Sequence, residues 1–201
     1  FNKLTKKRGT IIYDNDISHA KTIKKICTNK KLKSLTIGKK NSNLIIKKHE
    51  YVGNLQTVEI EFNNKKYSFS TSLIGKLQVK NLLFAILAAS KSKINFNKIV
   101  GSISSIKPVE GRLESVGNIK NNSKVILDYA HTPDALKYTL ESIKEQFNQS
   151  SISIVFGCGG NRDRDKRPIM GKIANQYCKK IFLTDDNPRY ENPKKIRNQI
   201  K

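Results

Sequence analysis

Cysteine is scarce in this chain, and long apolar runs are missing from it. Cys27, Cys158 and Cys178 are scattered over 201 residues without a C-x-x-C spacing. They therefore indicate neither a disulfide framework nor a zinc site, and a reducing cytoplasm fits them best. No apolar run approaches the ~20 residues that cross a bilayer, and the N-terminus lacks the pattern of a signal peptide. We expect a cytoplasmic protein without membrane partners.

Two common phosphate-binding signatures are also missing. The P-loop pattern G-x-x-x-x-G-K-[ST] does not occur, and the glycines of "GCGGNR" do not follow the G-x-G-x-x-G spacing of a dinucleotide fingerprint. The chain opens on "FNKLTKKRGT" without a methionine. We therefore expect a fragment of a longer protein.

Acidic residues are few beside basic ones, 16 against 39, which gives a net charge of +23. A nucleic-acid-binding protein shows such a surplus. However, the lysines form no single block, and Lys, Asn and Ile are over-used everywhere, as AT-rich coding would produce. We therefore attribute the charge to compositional drift and expect no nucleic-acid partner, with a basic nucleic-acid-binding protein as the alternative.

Hydrophobic patterning changes near Pro108. Before it, the pattern predicts a strand over residues 9–16, a helix over 18–31 and a small antiparallel sheet within 33–73, with "NNKK" as a hairpin turn. Two helices follow, the second with Asn95 or Asn97 near its cap. The segment "KPVEGRLESVG" then breaks the pattern and marks a domain boundary.

Beyond the boundary, strands and helices alternate. Apolar strands are predicted at 123–130, 151–160 and 179–186, each followed by a helix, with Thr132 and Asn192 as helix caps. Apolar strands that alternate with helices predict an α/β fold with a parallel sheet covered on both faces.

Unusual polar segments follow all three strands: "DYAHTPDA", "GCGGNRDRDKRP" and "DDNPRYE". The carboxyl ends of parallel strands are where open α/β sheets bind ligands. Glycines in the second segment would let the backbone approach a ligand. The cations of the second and third segments suit carboxylate or phosphate groups of a ligand. The acceptors of the third segment suit an ammonium group, so a zwitterionic substrate is predicted. The cations are Arg162, Arg164, Lys166, Arg167 and Arg189, and the acceptors are Asp185, Asp186 and Asn187.

Each element also has a plainer interpretation. Asp128 and His131 could satisfy backbone groups at a helix start, and "NRDRDKR" could be a solvated loop of alternating charge. "DNPR" could be a type I turn, and Cys158 is better explained as a small loop residue than as a nucleophile. Their occurrence together at one sheet edge favours a binding site.

Four segments, in this order and spacing, carry a family resemblance: "EGRLESV", "DYAHTPDAL", "VFGCGGNRDRDKRPIMG" and "TDDNPRYENP". They closely resemble the Mur ligase family, and within it the branch that adds the third residue of the peptidoglycan stem peptide. Upstream, "LIGKLQVKNLLFAILAAS" resembles a helix near the end of the family's ATPase domain. The resemblance implies the C-terminal part of a central ATP-binding domain over 1–107. Over 108–201 it implies the first half of a Rossmann-like domain with a mostly parallel sheet.

The resemblance also implies an activity, that of an ATP-dependent acid–amino-acid ligase. We expect a monomer. A carboxylate of UDP-N-acetylmuramoyl-L-Ala-D-Glu would attack the γ-phosphate of ATP, with Mg²⁺ bridging oxygens. The amine of meso-diaminopimelate would then attack the acyl phosphate and give an amide.

Residue roles follow from the resemblance alone. Asn81 would face adenine, Arg112 and Asp128 would reach the ribose and phosphates, and His131 would lie at the junction of nucleotide and domains. The incoming amino acid would be held by Arg162, Asp186, Asn187 and Arg189. The Arg189 guanidinium would fork onto the distal carboxylate of diaminopimelate, a contact that lysine could not return. No catalytic residue and no metal ligand is assigned within this chain.

The sequence departs from the family pattern in places. Leu77 and Gln78 stand where the family prefers an aromatic residue or histidine and then asparagine, and Asn161 stands where aspartate is common. The family's "GTNGKT" loop, its UDP-binding domain, its carbamylated lysine and its "GKGHE" motif do not occur here. We expect the chain to be inactive alone. The alternatives within the family are a lysine-adding or other Mur ligase and a folylpolyglutamate-type ligase.

Overall fold

The computed structural model describes residues 9–201, except for the side chain of Asn122. The chain divides into two compact units, the first ending at Lys107 and the second beginning at Pro108. Within residues 9–201, no helix has both the length and the apolar character that a membrane crossing requires.

The first unit is built on a mixed five-stranded sheet in the order β1-β2-β3-β4-β5. The ladders β1–β2 and β2–β3 are parallel, and β3–β4 and β4–β5 are antiparallel. The predicted antiparallel sheet is therefore right for β3 to β5 and wrong for β2. Apolar patterning reveals a strand but not its direction, whereas the helix between β1 and β2 returns the chain for parallel pairing. The strands are β1 Thr10–Asp14, β2 Lys33–Gly38, β3 Leu44–Val52, β4 Leu55–Phe62 and β5 Lys65–Thr71.

The turn between β4 and β5 confirms the predicted hairpin. Asn63 and Asn64 both take left-handed backbone angles, with φ of 50° and 58°. Two such residues make the tight turn whose twist matches that of the strands it joins, and asparagine tolerates this conformation better than most residues.

In the described part of the first unit, three α-helices and a short 3₁₀ helix at Ile103–Ser105 accompany the sheet. The α-helices are α1 Ala20–Asn29, α2 Lys76–Ala89 and α3 Phe96–Gly101. The predicted apolar helix α2 buries Leu83 and Leu87 completely against Ile37, Leu44 and Ile60 of the sheet. Burial of such side chains contributes roughly 1.5–3 kcal/mol each. Asn95 is the cap of α3, because its Oδ1 accepts the backbone N–H of Asn97 at 2.8 Å.

The second unit confirms the predicted alternation of strands and helices and adds one strand before it. Its elements are β6 Glu114–Ile119, β7 Ser123–Leu127, α4 Pro133–Gln146, β8 Ser153–Phe156, α5 Lys166–Tyr177, β9 Lys180–Leu183 and α6 Pro193–Ile200. Strand β6 lies where the sequence pattern appeared broken. A bulge between Ser115 and Gly117 interrupts its register against β7, and this hides the alternation by which strands are recognised.

Strands β8 and β9 form a parallel ladder, with Ile154 opposite Ile181 and Phe156 opposite Leu183. Strand β7 pairs antiparallel with β6, and within the described residues no ladder joins it to β8. The prediction of three parallel strands in one sheet is therefore correct for β8 and β9 only.

The parallel pair is covered on one face. Ile154, Phe156 and Leu183 pack against one apolar cluster formed by α4, α5 and α6. On the opposite face, Val155 and Phe182 are 69% and 55% exposed. The prediction of cover on both faces is therefore wrong for the described residues, because all three helices pack on the same side.

Candidate functional site

The loops that follow β8 and β9 are joined by hydrogen bonds into one double loop. The backbone N–H of Gly160 donates to the carbonyl of Asn187 at 2.8 Å, and the Arg189 guanidinium donates to the carbonyl of Gly160 at 2.7 Å. The backbone N–H of Tyr190 donates to Oδ1 of Asn161 at 3.1 Å. Two of the three predicted segments therefore form a single surface.

Glycine makes this contact possible at two points. A Cβ on Gly157 would collide with the carbonyl oxygen of Thr184, and one on Gly160 would collide with the carbonyl of Pro188. We predicted that these glycines would admit a ligand. In the structure they admit the backbone of the neighbouring loop instead.

Three of the four residues predicted to hold the amino acid are neighbours on this double loop. A Cβ on Gly159 would lie 3.0 Å from Nη1 of Arg189 and 3.6 Å from Oδ2 of Asp186. Oδ1 of Asn187 accepts the backbone N–H of Arg189 at 3.2 Å. Arg162 follows Gly160 by two positions on the facing loop and is exposed. The arrangement offers a cation and a carboxylate side by side.

Two residues of the double loop have unusual backbone angles. Asn161 and Arg189 are both left-handed, with φ of 49° and 50°. This conformation is uncommon for residues other than glycine, and surrounding contacts have to hold it. The hydrogen bonds of Asn161 and Arg189 across the two loops provide such contacts.

Next to the double loop lies a partly buried ion pair that was not predicted from the sequence. Arg167 is fully buried, and its Nη1 and Nη2 each lie 3.0 Å from a different carboxylate oxygen of Glu191. Glu191 also accepts the backbone N–H of Asn161 at 2.5 Å and lies 3.3 Å from Nε of Arg164. The bond from Arg167, followed by that from Asn161, lowers the pKa of Glu191 to about 2.

Several charged residues expected to face a ligand therefore have partners inside the protein. Arg167 and Arg164 hold Glu191, and Asp185 pairs with Arg197 of α6. Lys166 donates to the backbone carbonyl of His131 at 2.7 Å, which ties the loop after β7 to the start of α5. Each is engaged by a neighbouring loop or helix, and Arg167 is also fully buried. Ligand contacts of Arg164, Lys166 and Asp185 stay a prediction.

Three of the four predicted ATP contacts lie together in the second unit, around Tyr129, which was not among the site residues predicted from the sequence. The Arg112 guanidinium lies 4.9 Å from the ring centroid of Tyr129, and the His131 ring meets the same ring edge-on at 5.2 Å. Tyr129 is 64% exposed, although it stands directly after a strand. An exposed aromatic ring between two basic side chains is the kind of surface on which planar or anionic groups bind.

Asp128 holds this cluster to the fold. Its Oδ1 accepts the backbone N–H of Leu113 at 3.0 Å, and its Oδ2 accepts the Thr139 hydroxyl of α4 at 2.5 Å. Thr132 caps α4 by accepting the backbone N–H of Ala135 at 3.3 Å. The plainer interpretation, backbone groups satisfied at a helix start, is therefore wrong for Asp128. It fits His131, whose Nδ1 lies 3.2 Å from the backbone carbonyl of Tyr129 just before α4.

Asn81, the fourth predicted ATP contact, is exposed on α2 in the first unit. The preceding Lys80 forms an ion pair with the buried Asp14 at the end of β1. The start of α2 is fixed by Gln56, whose side chain donates to the carbonyls of Leu73 and Gly75 at 2.5 and 3.3 Å. The adenine contact of Asn81 stays a prediction.

Comparison with known proteins finds relatives that match nearly the whole chain. The chain is 42% identical over 195 residues to a UDP-N-acetylmuramoyl-L-alanyl-D-glutamate–2,6-diaminopimelate ligase of Rickettsia felis, covering 96% of this chain and 36% of that protein. It is 36% identical over 200 residues to a ligase of the same name from a Chelativorans species, covering 100% and 41%. The chain thus spans about two fifths of the length of these curated relatives.

Solved structures agree in fold. A structure of UDP-N-acetylmuramoyl-L-alanyl-D-glutamate–2,6-diaminopimelate ligase is 30% identical, has a TM-score of 0.68, and is covered to 41% by the whole of this chain. Folylpolyglutamate synthase of Thermotoga maritima gives a TM-score of 0.78 at 18% identity, with 99% of this chain and 46% of that one covered, which is a likeness of fold alone.

Family comparison accounts for nearly all of the sequence. Residues 1–89 match the Mur ligase middle domain, and residues 111–201 match the Mur ligase glutamate ligase domain. The two matches follow one another in the order expected from the sequence motifs. The chain belongs to the Mur ligase family.

Proposed function

We propose that this chain is part of an ATP-dependent amide ligase that adds meso-diaminopimelate to UDP-N-acetylmuramoyl-L-Ala-D-Glu. The observation that carries the proposal is the placement of the Asp186 and Arg189 side chains together beside Gly159, on a double loop that also bears Arg162. The names of the curated relatives support the same reaction. The setting of this chemistry is the cytoplasm, where ATP is available.

The amino-acid site suits a substrate with opposite charges. The Asp186 carboxylate accepts hydrogen bonds from an ammonium group, and the planar Arg189 fork pairs with a carboxylate in a bidentate manner. Nη1 of Arg189 already bonds to Gly160, which fixes the plane of the fork before a ligand arrives. Lysine has no distal carboxylate and would leave the fork without a ligand partner, so we propose that Arg189 selects diaminopimelate.

We assign the nucleotide to the Arg112–Tyr129–His131 cluster of the second unit. Asn81, on the first unit, stays a predicted adenine contact. Arg112 supplies positive charge for phosphate oxygens, and Asp128 positions that arginine through the backbone of Leu113. Mg²⁺ is implied by ATP chemistry. Within residues 9–201, no group of three or more His, Cys, Asp or Glu side chains could hold a metal ion, so we assign no ligand for it here.

The residues of this chain then act by binding and orientation. Asp186 would hold an amino group of diaminopimelate, and Arg189 would hold one of its carboxylates. Two such contacts would fix the orientation of the substrate, so that its attacking amine meets the acyl phosphate in one geometry. We assign no covalent role to any described side chain.

The test is phosphate release by the ligase that contains these residues, with ATP, Mg²⁺ and the UDP-linked dipeptide. Meso-diaminopimelate and lysine are offered in parallel. We expect release with diaminopimelate only, and an increase of about a hundredfold or more in its KM for Arg189→Ala, from the loss of a bidentate ion pair. Arg197→Ala, which alters the neighbouring Asp185 pair, is the matched control and should change this KM far less.

Release with lysine would keep the ligase and reject Arg189 as the selecting residue. Release with neither amino acid would reject the proposed reaction. In that case, glutamate with a folate acceptor is the next substrate pair, because the fold is shared with folylpolyglutamate synthase. DNA binding that weakens steeply with salt would instead support the basic nucleic-acid-binding alternative.

A further inference from the structure

We propose that the Arg167–Glu191 pair, whose arginine is fully buried, is a positioning device for amino-acid selection, which fixes the left-handed turns of Asn161 and Arg189. The inference rests on the proposed function, since it concerns the same double loop. Neither residue is assigned to the substrate: Arg167 is fully buried, and both carboxylate oxygens of Glu191 are engaged by protein groups.

The pair connects separate segments at one point. Arg167 at the start of α5 bonds to Glu191 after β9, to the Gly159 carbonyl after β8 at 3.2 Å, and to Oε1 of Gln199 on α6 at 2.5 Å. Arg164 adds a further contact to the same carboxylate. Few side chains besides arginine have enough donors in one rigid plane to make such a junction.

Glu191 transmits this junction to both unusual turns. Its carboxylate accepts the backbone N–H of Asn161, the residue before Arg162. Its own backbone N–H donates to the carbonyl of Pro188 at 2.9 Å and so closes the turn that contains Arg189. Asn161 in turn accepts from Tyr190, which lies between Arg189 and Glu191. Each side chain proposed to hold the substrate is therefore one or two residues from an atom fixed by this pair.

A purely structural role is the competing explanation. The pair contributes to stability, but stability alone does not explain why it joins both unusual turns. Buried ion pairs are weak evidence for stability, because desolvation offsets much of their attraction, and apolar replacement of both partners is often neutral. In the described part of the chain, Nε of Arg167 is also a buried nitrogen with no hydrogen-bond partner, a further cost. Such a pair is better explained by the geometry it imposes on the loops.

The experiment separates positioning from stability with three variants of the complete ligase. Glu191→Gln keeps the shape of the side chain but loses its charge, and Arg167→Lys keeps the charge but loses the fork. The double variant Arg167→Met with Glu191→Leu removes both charges and keeps the site filled. Glu141→Gln, in an exposed pair with Lys137 on α4, is the control for loss of a carboxylate elsewhere in the same unit.

The readouts are the KM for meso-diaminopimelate, the KM for ATP, and the melting temperature. We expect each folded pair variant to raise the KM for diaminopimelate about tenfold or more, because small misplacement of binding groups is costly. The KM for ATP should stay within about twofold, and Glu141→Gln should match the wild type in both. This split between substrates is one that a general loss of stability does not produce.

Three results would overturn the inference. The first is a folded double variant with the wild-type KM for diaminopimelate, and the second is an equal rise in both KM values. The third is failure of every pair variant to fold while Glu141→Gln folds, which would make the pair structural. If the wild-type ligase itself releases no phosphate with diaminopimelate, the proposed function fails first, and the inference falls with it.

Discussion

At the scale of single residues, Glu191 has an unusually acidic carboxyl group. Its pKa falls from 4.5 to about 2 in the folded protein, chiefly because of the bond from Arg167. A carboxyl group whose pKa is lower in the folded than in the unfolded chain stabilises the fold above the unfolded pKa. That stabilisation is lost as the pH falls through the folded pKa.

This gives a pH-dependent prediction for Glu191→Gln. Near neutral pH the wild type should melt at a higher temperature than the variant, and the difference should shrink between pH 4.5 and about 2. Thermal unfolding followed by circular dichroism over this range measures it, with each pH point run on both proteins. A difference that stays constant across this window would contradict the lowered pKa.

Gly160 gives a second prediction at this scale. A Cβ at this position would collide with the Pro188 backbone, whereas a Cβ on Gly101 of α3 would meet nothing within 4 Å. Gly160→Ala should therefore cost about 1–3 kcal/mol of unfolding free energy, because backbone has to move. Gly101→Ala should be neutral or stabilising by up to about 1 kcal/mol. Urea unfolding compares the two, and equal effects would show that the loops do not depend on this close approach.

At the scale of elements, the start of α6 depends on Asn192. Its Oδ1 accepts the backbone N–H groups of Lys194 and Lys195 at 2.9 and 3.4 Å, and Pro193 follows it as the first helical residue. Asparagine at this position satisfies donors that the helix itself leaves unpaired.

The cap of α6 can be tested by two substitutions at one site. Asn192→Ala should lower the free energy of unfolding by about 1 kcal/mol, while Asn192→Gly should lower it by only a few tenths. The difference arises because glycine leaves the backbone open to water, which can replace the lost acceptor. Urea unfolding of both variants measures it. An alanine variant as stable as the wild type would show that packing of Ile196 and Ile200, rather than the cap, holds the helix.

At the scale of the whole molecule, the chain spans about two fifths of its curated relatives. The isolated 201 residues contain no G-x-x-x-x-G-K-[ST] loop to hold the phosphates of ATP. We therefore expect no ATP turnover that depends on the UDP-linked dipeptide when this chain is assayed alone. Phosphate release with and without the dipeptide is the measurement, and turnover that requires the dipeptide would refute the expectation.

The exposed apolar face of β8 and β9 also belongs to this scale. Val155 and Phe182 stand on it, although parallel strands are normally covered on both sides. The side chains that alternate with them, such as Phe156 and Leu183, form the core with the helices. Within one strand, burial is thus decided by the side of the sheet and not by hydrophobicity.

Sequence alone determined the secondary structure of most of the chain. Helices α2 and α4, the Asn63–Asn64 turn and the caps Asn95, Thr132 and Asn192 follow from local chemistry, since the atoms involved lie within a few residues. The motifs also placed the polar loops after β8 and β9. These features depend on short-range rules, and such rules can be read directly from the order of residues.

Only the tertiary structure decided which charged side chains face outward. The sequence does not distinguish the three arginines at positions 162, 167 and 189, since all lie in or beside the polar segments. In the structure, Arg167 is buried and bonded to Glu191, which lies 24 positions away. The parallel pairing of β2 with β1 and the role of Gly160 were likewise set by partners distant along the chain. A guanidinium group binds whichever carboxylate lies nearest in space, and only the fold determines which one that is.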